Sequence, residues 1–243
     1  NLKLPEFLFH IGNYAFGGCS EFNGSLNIPE KVTVLSSGVF SQCLRLKGSL
    51  TIPTDVEIIE KNAFFECSGF EGTLTVSAKV KKIGEGSFFG CSGLKGDLTI
   101  PDSVLEVGKS AFMKCTGFNG LLKLSENLRE VSDSSFAHCS QLTGNLIIPK
   151  KVTEIKENAF YCCFSFCGSF NLSESLKSIG SFAFYRCSQL TGNLVIPKNV
   201  EIIGDRAFSC CSALEGQLHI PRNVKSIGEG CFKGCVSLKE ISI

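Results

Sequence analysis

The feature that most constrains this chain is a 24-residue repeat that runs through its 243 positions. A phenylalanine recurs at this spacing, a cysteine lies three residues after it, and a glycine lies five residues after the cysteine in nine successive repeats. The phenylalanines are Phe16, Phe40, Phe64, Phe88, Phe112, Phe136, Phe160, Phe184, Phe208 and Phe232. A fixed period of about 20–50 residues is the signature of a solenoid, in which each coil contacts only its neighbours.

Each coil contains two short apolar patterns. The first is L-x-I-P, as in residues 50–53, where alternate residues face one side of a strand and proline ends it. The second is V-x-x-I-G-x-x-A-F-x-x-C, as in residues 200–211, whose spacing favours a short extended piece and a tight turn. We therefore predict a mainly β solenoid, with a parallel sheet of short strands on its concave face and tight turns on its convex face. Coils about 4.8 Å apart would give a rod or arc of roughly 45–50 Å.

A second period of 48 residues lies on top of the first. Serine replaces the strand-ending proline at Ser77, Ser125 and Ser173. The apolar residue three positions after each cysteine alternates between phenylalanine and leucine, and the alternation ends at Leu214. These patterns predict that the solenoid is built from paired coils.

The whole chain is predicted to form one domain, residues 1–243. The ten coils are placed at about residues 1–24, 25–48, 49–72, 73–96, 97–120, 121–144, 145–168, 169–192, 193–216 and 217–240, with a truncated remainder at 241–243. The first residues already lie inside a repeat, and neither end has a polar cap. Flanking sequence or end-to-end self-association is therefore expected.

Charge and hydropathy exclude some partners. The formal net charge is +1, from 24 basic and 23 acidic residues, and no basic stripe is evident. Nucleic acid and anionic membranes are therefore poor candidates. No apolar run approaches the roughly 18 residues of a membrane span, so we expect no membrane-spanning segment.

The repeat at residues 187–208, C-S-Q-L-T-G-N-L-V-I-P-K-N-V-E-I-I-G-D-R-A-F, resembles the BspA-like, or Treponema pallidum-type, leucine-rich repeat. The resemblance covers essentially the whole chain, although the inserted glycine makes each unit one residue longer than the commoner form. It implies a leucine-rich-repeat solenoid at the cell surface or secreted, which adheres to host matrix proteins and to other cells. The family has no catalytic residues to carry over.

Ten of the fourteen cysteines lie on the repeating column, and we predict that they pack as buried free thiols. Parallel side chains on adjacent coils would hold Cβ atoms near 5 Å, beyond the usual spacing of a disulfide. Structural roles are assigned to both repeating columns in the central coils, namely Phe160, Phe184, Phe208, Cys163, Cys187 and Cys211.

Three further cysteines, Cys162, Cys167 and Cys210, stand where other coils have polar residues, so they are expected to be exposed. His138 takes the equivalent position to Cys162 one coil earlier, which raises the alternative of a metal site. No C-x-x-C pair supports that alternative, so no metal or other cofactor is predicted. The three histidines lie on distant coils and supply no nucleophile and base, so no enzyme activity is predicted.

The outward positions of the L-x-I-P strands are the predicted binding surface, because solenoids use such faces to bind partners. The candidate residues are Thr51, Thr75, Thr99, Leu121, Lys123, Ile147, Asn171, Asn193, Val195 and His219. Their short polar character favours weak or distributed contacts, since tryptophan, tyrosine and arginine anchors are rare there. A third hypothesis is that the aligned side chains of Thr51, Thr75 and Thr99 organise water molecules.

Two functional hypotheses follow. The first is a non-enzymatic adhesion module that presents this face to host matrix or cell-surface proteins. The alternative is an intracellular scaffold that docks a partner protein, which the unbridged cysteines favour because structural disulfides are typical of oxidising compartments.

Overall fold

The computed structural model describes residues 2–242 and shows a parallel β-solenoid of about nine turns of about 24 residues. The turn number is close to the ten coils predicted, and each turn contributes short strands and a tight turn. The twenty strands are β1 (Gly24–Ser25), β2 (Val34–Leu35), β3 (Leu46–Lys47), β4 (Leu50–Thr51), β5 (Ile58–Ile59), β6 (Leu74–Thr75), β7 (Lys82–Ile83), β8 (Leu98–Thr99), β9 (Glu106–Val107), β10 (Leu122–Lys123), β11 (Glu130–Val131), β12 (Leu146–Ile147), β13 (Glu154–Ile155), β14 (Phe170–Asn171), β15 (Ser178–Ile179), β16 (Gly192–Val195), β17 (Ile202–Ile203), β18 (Leu214–His219), β19 (Ser226–Ile227) and β20 (Leu238–Ser242).

Hydrogen bonds between successive coils connect the solenoid at three places on each turn. Strands of the L-x-I-P pattern form one surface, here called the strand face. Strands of the V-x-x-I pattern form the second sheet, in the orders β2-β5-β7-β9 and β11-β13-β15-β17-β19. The tight turns form the third row, here called the turn ridge. There Gly38, Phe40 and Gln42 donate backbone N–H groups to carbonyls of the next coil at 2.6–2.9 Å.

The predicted phenylalanine column fills the core. Its ten rings stack from Phe16 to Phe232, with centroids 5.1–5.6 Å apart and planes within 16° of parallel. At these distances the parallel rings are offset, which is a favoured aromatic arrangement. Rings between the two ends are completely or almost completely buried, so the prediction that Phe160, Phe184 and Phe208 are structural agrees with their burial.

The 48-residue period appears in the strand pairing. On the strand face β4 pairs with β6, β8 with β10, and β12 with β14, whereas no ladder joins β6 to β8 or β10 to β12 among the strands of residues 2–242. The coils are therefore paired, as the sequence predicted. The pairing also means that the strand face is a series of short ladders where we expected one continuous sheet.

Side-chain caps explain how one coil of a pair differs from the other. Oxygen atoms of Ser49, Asp97 and Asn145, each 48 residues apart, accept the backbone N–H of the following coil at 2.7–3.1 Å. The glycines next to the donating N–H groups leave room for these caps. A Cβ on Gly168, for example, would lie 2.0 Å from Asn145 Oδ1.

The serines that replace proline have a related role in the second coil of each pair. The hydroxyls of Ser77, Ser125 and Ser173 donate to a carbonyl of the preceding coil at 2.6–2.9 Å. Each also accepts the backbone N–H two residues later. Proline has no hydroxyl for either bond, so serine at these positions follows from the paired architecture.

The pairing changes near the C-terminal end, where the sequence alternation stops. Leu214 takes the place of the expected phenylalanine, and the following Gly216 has φ +81°. The glycines that follow Phe70, Phe118 and Phe166 do not have positive φ. Here β16, β18 and β20 form a three-stranded ladder with longer strands.

The cap predicts an energetic coupling between Asn145 and Gly168. Gly168→Ala alone should lower the free energy of unfolding by about 1–3 kcal/mol, because its Cβ collides with Asn145 Oδ1. Asn145→Ala alone should cost about 1 kcal/mol for the lost hydrogen bond. The double variant should cost at least ~0.5 kcal/mol less than the sum in urea titrations. Gly12→Ala, at a glycine with open space around its Cβ, should add to Asn145→Ala without coupling.

Two buried serines predict opposite effects of truncation. Ser135 and Ser125 are both fully buried, but the Ser135 hydroxyl has no hydrogen-bond partner among the described residues. Ser135→Ala should stabilise the protein by about 1 kcal/mol, because an unsatisfied buried hydroxyl is removed. Ser125→Ala should destabilise it by ~1–2 kcal/mol because two hydrogen bonds are lost. Equal unfolding midpoints for the two variants would contradict this account.

Candidate binding surface

All ten candidate residues of the strand face are exposed to solvent. The strand register places them in neighbouring couples across each ladder, because Thr51 pairs with Thr75 and Ile147 pairs with Asn171. Leu121, Ile147 and Val195 are the large apolar members, with 54–66% of their surface exposed. Whether these residues bind a partner stays a prediction.

The second outward position is free of caps on every described strand, whereas the first is free only where its side chain forms no cap, as at Leu121. Caps occupy the first outward position of alternate coils, as described for Ser49, Asp97 and Asn145. Asn193 stands at the next position of this series in sequence and would lie 2.1 Å, through its Oδ1, from a Cβ on Gly216, but no cap hydrogen bond forms there among residues 2–242. The free column therefore consists of the second positions, which are Asn27, Thr51, Thr75, Thr99, Lys123, Ile147, Asn171, Val195 and His219.

The C-terminal part of the strand face borders a shallow groove of about 440 Å³. Val195 and His219, which are paired in the strand register, line it together with charged side chains such as Glu174 and Arg222. His219 Nδ1 lies 3.1 Å from the Ser242 hydroxyl. The groove combines an exposed apolar side chain with both charges, which suits a protein segment.

The second sheet carries charges that largely neutralise one another between coils. Lys81 pairs with Glu57 at 2.7 Å, Lys82 with Glu106 at 2.9 Å, and Lys225 with Glu201 at 2.7 Å. These pairs are well exposed, so they contribute little to stability. Because these charged side chains already have partners on the adjacent coil, the second sheet is a weaker candidate for a binding site than the strand face.

The repeating cysteines have a role beyond filling space. Each thiol from Cys43 to Cys235, except those off the column, donates to the carbonyl of a phenylalanine 27 residues earlier at 2.9–3.3 Å. All fourteen cysteines are free. Burial raises the pKa of Cys91 and Cys139 to about 12, so these thiols stay protonated and able to donate at neutral pH.

The three additional cysteines differ in exposure. The expectation that all three are exposed is wrong for Cys162, which is buried with 4% of its surface accessible. Burial raises its pKa, while the neighbouring Tyr161 and Arg186 lower it. These larger side chains belong to the turn ridge and lie beside the thiol, which the polar residues at equivalent positions could not reveal. Cys210 is half-buried, and Cys167 alone is exposed.

No metal-binding arrangement of three histidine, cysteine or acidic side chains occurs within residues 2–242. His138 instead packs edge-on against the Tyr161 ring, with centroids 5.2 Å apart. Within the same residues, the structure contains no helix that is long and apolar enough to cross a membrane.

Sequence reasoning missed the aromatic side chains of the turn ridge. Phe65 stacks on Phe89 at 4.8 Å, and Tyr161 stacks on Tyr185 at 5.0 Å. Both pairs occupy the position directly after the core phenylalanine and are half-buried. Their 24-residue spacing was visible in the sequence. Because other residue types interrupt this column, it does not stand out as a repeat.

The comparison with known families settles what kind of repeat this is. The sequence profile of the "BspA type Leucine rich repeat region" matches residues 1–119, 72–191 and 119–239. The chain belongs to the BspA-type leucine-rich repeat family. Members of this family are generally non-enzymatic binding scaffolds. No curated protein matches the sequence significantly.

Solved structures show the same fold at low sequence identity. A leucine-rich repeat protein from Bacteroides ovatus has a TM-score of 0.82 and 24% identity over 98% of this chain, which spans 62% of that protein. The Treponema pallidum leucine-rich repeat protein has a TM-score of 0.56 and 24% identity, covering 79% of this chain and 78% of its own. The pneumococcal vaccine antigen PcpA has a TM-score of 0.52 and 23% identity, covering 89% and 61%.

The exposed Cys167 predicts a pH-dependent reactivity. A hydrogen bond with the Thr143 hydroxyl, at 3.3 Å, lowers the pKa of the Cys167 thiol, with help from the Gly144 backbone. A lower pKa gives more thiolate at a given pH, so iodoacetamide should alkylate Cys167 first in the native protein. Thr143→Val should shift the half-maximal alkylation rate to higher pH, measured by mass spectrometry.

Thr191→Val is the matched control for Thr143→Val, because the Thr191 hydroxyl contacts the Cys167 carbonyl instead of its thiol. It should leave the alkylation profile unchanged. Rapid alkylation of the buried column cysteines before Cys167 would show that the thiol environment is misassigned.

Proposed function

We propose that the protein is a non-enzymatic adhesion module that presents its strand face to host matrix or cell-surface proteins. Membership of the BspA-type leucine-rich repeat family supports a protein-binding or adhesion role. On this proposal the protein acts at the cell surface or after secretion. No cofactor takes part in the activity.

The observation that carries the proposal is the free column of the strand face. Its side chains are exposed, while the backbone beneath them is held by ladders and caps. A rigid row of side chains can meet a partner with little loss of conformational entropy. Ile147 and Val195 add apolar area to a mainly polar row, so several weak contacts can add up along the solenoid.

One observation favours the intracellular scaffold as a second candidate. All fourteen cysteines are free, although structural disulfides are common in proteins of oxidising compartments. The thiols of the column are buried and donate hydrogen bonds to carbonyls, which is compatible with either location. Antibody labelling of intact and of permeabilised cells distinguishes them, since a signal that appears only after permeabilisation would exclude adhesion.

A charge substitution on the strand face tests the binding role. Ile147→Lys with Asn171→Lys places two cations on one ladder couple. Beads coated with this variant should bind about tenfold less to purified matrix proteins or to epithelial cells than beads with the native protein, because the apolar contact is lost and charge is added. Bead counts after washing measure the difference.

Ser178→Lys with Ile202→Lys is the matched control on the second sheet. These residues form an equivalent couple in register, and Ile202 is 51% exposed, close to the 54% of Ile147. The control variant should adhere like the native protein. Equal loss in both variants, or no adhesion by the native protein to any of the surfaces, would overturn the strand-face proposal.

A further inference from the structure

A second surface with the composition of a binding site lies on the turn ridge. We define the ridge patch as His138, Tyr161, Phe182, Tyr185, Arg186 and Arg206. The four ring-bearing residues are half-buried, and both arginines are exposed. Tyrosine and arginine are the residue types enriched at the energetic centres of protein interfaces. They are rare on the strand face, where we expected the partner to bind.

The rings of the patch are held in one arrangement by mutual packing. Tyr161 and Tyr185 stack with planes 15° apart, and Phe182 packs edge-on against Tyr185 at 5.7 Å. His138 continues the row by its edge contact with Tyr161. The guanidinium of Arg186 lies 5.6 Å from the Tyr185 ring centre, and that of Arg206 lies 5.7 Å from the Phe182 ring centre. Aromatic rings and cations are therefore preorganised.

Three residues of the patch adopt left-handed backbone conformations, which are unfavourable for residues other than glycine. Phe182, Arg186 and Arg206 have φ values of 56°, 61° and 51°, in the left-handed region that costs most residues about 1–2 kcal/mol. Glycine occupies the equivalent position of Phe182 in two of the earlier coils, Gly38 and Gly86. Other coils have positive φ at the same two positions, as at Tyr14 and Lys114, so the left-handed backbone belongs to the turn ridge as a whole and here carries large side chains.

Neither arginine of the patch is paired directly with a carboxylate of the described residues. Among the ion pairs of residues 2–242, none involves Arg186 or Arg206, unlike the paired lysines of the second sheet. Asp133, Glu157 and Asp205 take equivalent positions on three coils, each one residue before the ridge position that Arg206 occupies. Asp205 accepts the Glu229 backbone N–H and Glu157 accepts the Asn158 amide, so both are already engaged.

We propose that the ridge patch docks an extended acidic segment of a partner protein, with carboxylates meeting Arg186 and Arg206 and apolar or aromatic side chains covering the rings. This surface faces away from the strand face and goes beyond the adhesion role. A guanidinium already placed over a ring can bind a carboxylate in two parallel hydrogen bonds. The rings supply the apolar contact area that such a segment would cover.

The dimensions and charge favour a short peptide over a polyanion. From His138 to Arg206 the patch crosses three coil spacings, about 15 Å, which matches roughly five residues of extended chain. Nucleic acids and sulfated glycans bind through rows of many cations, whereas this patch has two arginines and the whole chain has a net charge of +1. One or two carboxylates beside apolar side chains are therefore the complementary chemistry.

Tyrosine emission can locate the binding event, because the chain has three tyrosines and no tryptophan. In a Tyr14→Phe background, only Tyr161 and Tyr185 remain. The probes are dye-labelled eight-residue peptides that alternate Asp or Glu with Leu or Phe, with a matched set carrying Asn or Gln. The acidic set should bind saturably by anisotropy, at least about tenfold more tightly than the neutral set, and unlabelled peptide should change the tyrosine emission.

Arg186→Glu should lower the affinity for the acidic peptides at least about tenfold. The backbone accepts glutamate there, because Glu66 occupies the equivalent position with φ 57°. Tyr185→Ser, which introduces the residue type that Ser209 supplies at the equivalent position, should also weaken binding. Arg129→Glu makes the same charge change at an exposed site on the second sheet and should have no effect. Circular dichroism should show the native fold in each variant.

Three results would overturn the proposal: no peptide binding up to millimolar concentration, equal binding of acidic and neutral peptides, or equal weakening by Arg129→Glu. Binding of heparin oligosaccharides alone would also reject it in favour of a glycan site. The Ile147→Lys and Asn171→Lys variant should still bind the peptides, whereas Arg186→Glu should still adhere. A failure of this proposal is therefore distinguishable from a failure of the adhesion role.

Discussion

The structure depends on one constraint, which is that each coil satisfies only its turns internally, as in the bond from the Cys67 N–H to the Phe64 carbonyl, and needs its neighbours for its other backbone hydrogen bonds. No coil has a helix or hairpin to satisfy its own polar groups within residues 2–242, and a buried unpaired N–H or carbonyl is costly. Three rows of intercoil hydrogen bonds meet this requirement, and they also fix the register. Once the register is fixed, equivalent side chains must stack, so the phenylalanine rings and thiols form continuous columns through the core.

Pairing of coils is the second level of organisation, and it divides the strand face into structural and available positions. Alternate coils use a serine, aspartate or asparagine to cap the next coil, and that coil uses a glycine to make room. A serine in the second coil then supplies a hydroxyl where the first has proline. What remains for binding is the second outward side chain of every coil, in a row whose spacing the backbone sets, together with uncapped first positions such as Leu121.

Much of this could be predicted because period and composition act locally. The 24-residue period identified the solenoid, and the 48-residue period identified the paired coils. The exposure of residues such as Thr75 and Val195 followed from alternation along a strand. The burial of Cys162 did not follow, because it depends on Tyr161 and Arg186 beside it. The aromatic cluster of the ridge also escaped, since its members come from several coils and differ in residue type.

The sequence by itself determined the fold class, the core columns and the outward face, because each follows from which residues recur at a fixed spacing. Only the tertiary structure decided which outward side chains are already engaged, why cysteine stands at the repeating position, and where rings and guanidinium groups meet. The reason is physical. Caps such as Asn145 to Ser169 and thiol bonds such as Cys67 to Phe40 join atoms 24 and 27 residues apart. Their existence depends on stacking geometry, which a repeat pattern predicts only in outline.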